Sequence, residues 1–105
     1  MPMLKIQTNT PVAEENRKAL ASLASTTVAE LLGKPERYVM VSIEENPCML
    51  FGGSDAPLAY LELKSIGLPD SQTSEFSARL AKLLEEQLGL PADRVYIEFA
   101  DAARN

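Results

Sequence analysis

The chain has 105 residues, 46% hydrophobic and 24% charged, and carries a net charge of −5 from 15 acidic and 10 basic residues. That composition is globular and suits a single domain over 1–105, small enough that burial through oligomerisation adds usefully to its stability. The basic residues are scattered, which argues against a nucleic-acid partner. No apolar run is long enough for membrane insertion, and the start lacks the basic and apolar regions of a signal peptide, so the default compartment is the cytoplasm. With no histidine and the single Cys48, there is no Ser/His or Cys/His nucleophile pair, no histidine or thiolate metal site and no intrachain disulfide. No carboxylate cluster has metal-ligand spacing, so neither a metal nor another cofactor is expected.

Residues 3–9 read as a strand with Leu4, Ile6 and Thr8 on one side and Lys5 and Gln7 on the other. Thr10-Pro11 reads as an N-cap with proline at the first helical position. The helix that follows has the stripe Leu20, Leu23, Ala24, Thr27, Val28 and Leu31, and stops at Gly33. A second strand is predicted over 38–44, where Val39, Val41 and Ile43 alternate with Tyr38, Met40 and Ser42. The next loop holds Pro47, Gly52, Gly53 and Pro57, with Met49-Leu50-Phe51 as a short edge strand. A third strand spans 58–66. Asp70 or Ser71 then caps a helix with the stripe Phe76, Leu80, Leu83, Leu84 and Leu88, closed by Gly89 and Pro91, and a fourth strand covers 94–99.

The halves resemble each other. Leu32-Gly33-Lys34-Pro35 recurs as Leu88-Gly89-Leu90-Pro91 at an offset of 56, although the first strands match one residue out of phase. Pseudo-repeats at about 2–44 and 58–99 imply two right-handed strand-helix-strand units. The fold class is therefore α/β of the α+β kind: duplicated β-α-β units forming a four-stranded mixed sheet, with both helices on one face. Lys5, Gln7, Tyr60, Glu62, Lys64 and Glu98 make the other face too polar for a core, and neighbouring subunits are expected to use it and the open edges.

Pro2 gains chemical interest if the initiator methionine is removed, because its ring nitrogen then becomes a free secondary amine. An α-amine titrates at roughly 7.7–8.0, and burial lowers that value, so such a nitrogen could be neutral and accept a proton from carbon. The predicted topology returns Lys34 and the strand end Ser65-Ile66-Gly67 to the level of Pro2. A base, a cation and a backbone N–H would then surround a developing enolate. Lys34 also reads as a surface lysine compensating a helix dipole, and Ser65-Ile66-Gly67 as a plain turn.

Pro2-Met3, Thr8-Asn9, Gly33-Lys34-Pro35, Phe51-Gly52-Gly53-Ser54, Lys64-Ser65-Ile66-Gly67 and Asp93-Arg94-Val95-Tyr96-Ile97 stand in the order, and at nearly the spacing, of the macrophage migration inhibitory factor and D-dopachrome tautomerase family. The resemblance covers almost the whole chain. It implies a homotrimer with active sites at subunit interfaces, and keto-enol tautomerisation of phenylpyruvate-like α-keto acids and isomerisation of dopachrome-like substrates. By that resemblance Pro2 is the base, Lys34 binds the substrate carboxylate, and the Ile66 N–H meets the substrate beside Ser65. Tyr96 comes from the adjacent subunit as a pocket wall, and Tyr38 and Met3 lie near the mouth. Glu98 stands where a mammalian member has asparagine.

Leu58 and Leu61 occupy the positions of a Cys-x-x-Cys pair found in some members, so their proposed redox activity does not transfer, and Cys48 reads as a loop thiol. Members usually continue past the position of Asn105 with an aromatic tail. Either the tail is absent, which opens the site and weakens the trimer, or the given residues belong to a longer chain. The alternatives to a tautomerase are a cytokine-like protein that engages a protein receptor after leaderless export, or a related decarboxylase or dehalogenase. The alternative fold is a ferredoxin-like monomer.

Overall fold

The computed structural model describes residues 2–68 and 70–101, apart from the side chain of Asp70. Chain order runs β1 (Met3–Thr8), α1 (Glu14–Leu32), β2 (Met40–Glu45), β3 (Ala59–Ser65), α2 (Thr73–Leu88) and β4 (Val95–Asp101). The sheet order is β2-β1-β3-β4, with β1 and β2 parallel, β3 and β4 parallel, and β1 antiparallel to β3. Each outer strand thus pairs directly with the strand that precedes its helix. That distinguishes the sheet from a ferredoxin-like one, in which each crossover is split by an intervening strand.

The alternation read from the sequence sets the faces. Leu4, Ile6, Leu61 and Leu63 point to the helices and are fully buried. Leu20, Ala24 and Val28 recur at helical spacing on α1, and Phe76, Leu80 and Leu84 do so on α2, and these close the core. Leu23 falls on the same predicted stripe but is 44% exposed, at the open groove between α1 and α2. On the other sheet face Gln7 Nε2 donates to Glu44 Oε2 at 2.7 Å and Lys64 pairs with Glu62 at 3.4 Å, so this face is polar as expected.

The two halves end their helices alike. Gly33 and Gly89 cap α1 and α2 in the left-handed region, at φ 63° and 69°. A proline and a short 3-10 turn follow each, over Glu36–Tyr38 and Ala92–Arg94. The one-residue slip noticed in the sequence is a real feature of the register. Leu4 pairs with Val41 and Leu61 with Ile97, so the first strands correspond at an offset of 57 and the second strands at 56.

Three local expectations are corrected. Thr10 does not cap α1: the helix begins at Glu14 with Ala13 as its cap residue, and the Thr10 hydroxyl is buried without a partner among the described residues. The approach to α1 is held instead from β2, where Glu45 accepts the Val12 N–H at 3.1 Å and pairs with Arg17. The Arg17 hydrogen bond holds the Glu45 carboxyl below its usual range. At α2 a 3-10 turn over Asp70–Gln72 takes the predicted first turn, and Gln72 is the cap residue, without a side-chain hydrogen bond. Met49-Leu50-Phe51 is no edge strand, because its only ladder contact among the described residues is the isolated bridge between Phe51 and Ser54.

Candidate functional site

Pro2 is fully buried at the end of β1, and its carbonyl accepts the Met40 N–H at 2.9 Å. Met3 pairs with both Met40 and Lys64, so Pro2 is level with Val39 on one side and Ser65 on the other. Alternation puts it in phase with Leu4, on the helix side of the sheet.

Lys34 arrives from the other direction. The left-handed Gly33 turns the chain out of α1, and the Lys34 N–H closes the cap on Ala29 O at 3.0 Å, which launches the side chain from the helix terminus. Its ammonium donates to Ser65 Oγ at 3.1 Å and to Ile66 O at 3.0 Å. Both acceptors are neutral, and no carboxylate among the described residues pairs with it. An ammonium has three N–H donors. Two are spent on fixing the head group, so the third and the full positive charge remain for an anion.

Ser65 is fully buried and Ile66 is 38% exposed, so the strand end passes from core to surface across one peptide. Among the described residues the Ile66 N–H has no acceptor, whereas the Gly67 N–H is taken by Asp101 Oδ1 at 3.1 Å. Tyr38, 46% exposed, lies in the turn before β2, and the Arg37 guanidinium sits 4.7 Å from its ring centroid. Met3, half-buried, points to the polar face beside Met40. The structure thus gathers Pro2, Lys34, Ser65 and Ile66 at one end of the sheet, with Tyr38 and Met3 at its margin.

Tyr96 and Glu98 are elsewhere. Tyr96 is in register with Tyr60, which pairs with Gln7, five residues along β1 from Pro2 and thus about 17 Å away along the strand. Both residues project from the polar face. Tyr60 donates its hydroxyl to Glu98 Oε2 at 2.6 Å and lies 3.1 Å from Glu62 Oε2. The Glu98 hydrogen bond, with desolvation and the bond to Glu62 added, pushes the Tyr60 phenol well above its ordinary range. The bond from Tyr60 likewise holds the Glu62 carboxyl down. Tyr60 stacks on Tyr96 with centroids 6.0 Å apart, and Phe51 meets Tyr96 edge-on at 6.3 Å and 77°. Together with Met49, Leu50, Leu58 and Ala59 these rings line a shallow, mainly apolar hollow of about 180 Å³. The sequence marked Tyr60 only as a polar-face residue. The 2.6 Å bond to Glu98 is a side-chain event across two strands, and no periodicity signals it.

The sequence model of the family described as Macrophage migration inhibitory factor (MIF) matches residues 1–104. The chain belongs to this family. A macrophage migration inhibitory factor homolog of Brugia malayi is 42% identical over 102 residues, covering 96% of this chain and 88% of the relative. D-dopachrome decarboxylase-B of Xenopus laevis is 38% identical over 101 residues, covering 94% and 85%. Among solved structures, a MIF homologue from Prochlorococcus marinus has a TM-score of 0.89 at 42% identity, covering 95% of this chain and 88% of that one. The MIF-like protein of Entamoeba histolytica reaches 0.91 at 26% identity, covering 97% and 89%. The MIF-like fold, with its four-stranded mixed sheet and two helices, agrees with the architecture read from the sequence.

Proposed function

We propose that this MIF-family chain is a keto-enol tautomerase of phenylpyruvate-like α-keto acids and dopachrome-like compounds, working as a homotrimer once Met1 has been removed. The observation that carries the reading is the Lys34 ammonium, fixed on two neutral oxygens at the same sheet end as the buried Pro2. A cation held without a counter-charge is a ready seat for a substrate carboxylate.

With the carboxylate on Lys34, the carbon next to the ketone is presented to the Pro2 nitrogen. The nitrogen takes the proton, the C–H electron pair becomes the new C=C bond, and the carbonyl pair moves onto oxygen. The Ile66 N–H meets that charge until the protonated Pro2 nitrogen gives its proton back, to the oxygen directly or by way of water, so that the enol leaves and the amine is neutral again. Within one chain nothing described closes the far side of this site, and Tyr96 lies at the opposite end of its own sheet. A neighbouring copy that presents Tyr96 and Glu98 would supply that wall, which is why the reading requires an oligomer.

Pro2→Gly tests it. Enolisation of phenylpyruvate should fall at least tenfold, because glycine keeps a terminal amine but loses the ring that fixes its lone pair, while circular dichroism keeps the parent spectrum. An active preparation should have an intact mass without Met1. Parent-like turnover in the glycine variant would sink the reading.

A further inference from the structure

The loop between β2 and β3 contains a two-residue turn, Phe51-Gly52-Gly53-Ser54, closed by reciprocal backbone bonds of 3.0 and 3.2 Å between Phe51 and Ser54. Both glycines have positive φ, 62° and 76°, as a type I′ hairpin turn demands. Beyond that turn the loop has little regular structure, and its shape is set by Arg94, from the 3-10 turn before β4. The guanidinium donates to Phe51 O at 2.8 Å, Ser54 O at 3.0 Å, Ala56 O at 2.9 Å and, more weakly, Pro57 O at 3.4 Å. It also sits 5.2 Å from the centroid of the Phe51 ring. No carboxylate of a described residue pairs with it.

We infer that Arg94 is a positioning residue for Tyr96. Its fork gathers loop carbonyls that would otherwise repel one another, and so holds Phe51 edge-on against the Tyr96 ring, whose other ring contact among the described residues is the stack on Tyr60. Tyr96 is 58% exposed, so this packing, rather than burial, fixes the direction of its ring. The functional consequence rests on the tautomerase reading, in which Tyr96 is the wall that one copy lends to the Pro2 site of another. Arg94 then sets the shape of a pocket that it does not itself enter. Lysine cannot replace it, because three N–H donors on one nitrogen do not span carbonyls that need a planar fork.

The test compares Arg94→Ala, Arg94→Lys and Phe51→Leu in the full chain, by aromatic NMR and by phenylpyruvate enolisation. In Arg94→Ala and Phe51→Leu the Tyr96 ring resonances should shift while those of Tyr38, at the other end of the sheet, stay in place. KM should rise about five- to tenfold with kcat within about twofold, and Arg94→Lys should recover only part of the loss. Should Arg94→Ala fail to fold, Arg94→Lys, which keeps the charge and the stem but not the fork, decides the question against the parent. Unmoved Tyr96 resonances in the folded variants, full rescue by lysine, or a fall in kcat at constant KM would each overturn the inference. A parent chain without enolisation would remove the tautomerase reading alone, since the ring shifts still decide whether Arg94 positions Tyr96.

Discussion

Replacing Lys34 with methionine removes a charge while keeping most of the stem, and its effect can be worked from the site. Ser65 Oγ loses the ammonium but keeps Ile66 O at 3.3 Å, so the fold should lose no more than about 1 kcal/mol. The substrate loses more. An ammonium and a carboxylate about 3 Å apart at an effective dielectric of about 20 attract by about 5 kcal/mol. Desolvation and the half-exposed position of Lys34 bring the net contribution down to about 1.5–2 kcal/mol. That corresponds to a ten- to thirtyfold rise in KM, on the scale of about 1.4 kcal/mol per tenfold. The assay should run phenylpyruvate beside its methyl ester, which keeps the ketone and the acidic carbon but has no charge. The variant should lose its ten- to thirtyfold on the acid and less than about threefold on the ester. Equal losses on both would refute the assignment of Lys34 to the carboxylate, as would an unchanged KM for the acid.

Two further outcomes follow from the buried and bridged hydroxyls. Thr8 is fully buried, donates to Leu58 O at 2.7 Å and accepts the Thr10 N–H at 3.1 Å. Thr8→Val keeps the shape but strips both partners, and should cost about 2–4 kcal/mol by urea denaturation at fixed protein concentration. A loss below about 1 kcal/mol would contradict this. Tyr60, labelled at its ring carbon, should stay protonated in NMR titrations beyond the ordinary tyrosine range near 10, and Glu98→Gln should bring it back toward that range. Because its folded pKa is raised, the stabilisation is complete below the unfolded value and is lost as pH climbs through the folded one. Parent stability should therefore decline above about pH 10 relative to Tyr60→Phe, and parallel curves would refute the raised value.

The sheet and its faces were legible because burial imposes a period of two. Leu4, Ile6, Leu61 and Leu63 face one way along two central strands, and each had a polar neighbour in sequence. Helix ends were legible at Gly33 and Gly89, where the left-handed backbone leaves few alternatives to glycine. Helix beginnings were not. The entry to α1 is held by Glu45, more than thirty residues away in sequence, so a local Thr-Pro signal misled. The same distinction runs through the site. The meeting of Lys34 with Ser65 and Ile66 followed from topology, since parallel and antiparallel pairings dictate which chain ends share a level. The bonds of Arg94 to four loop carbonyls did not, because they depend on where an irregular segment folds back.

The offset between the halves gives the strands and helix ends of the first unit counterparts in the second. Pro2 corresponds to Ala59 and Lys34 to Leu90. Ala59 is buried and continuous with Leu58 before it, and Leu90 is buried in the core. On the tautomerase reading the two corners of the repeat are therefore equipped unequally: the second is sealed with hydrocarbon, and its backbone nitrogen is a peptide amide. A lysine placed at 90 would face a peptide nitrogen rather than a base. On the same tautomerase reading, asymmetry of chemistry in this near-symmetric scaffold comes from the one thing that a tandem repeat cannot copy into its second unit, a first residue.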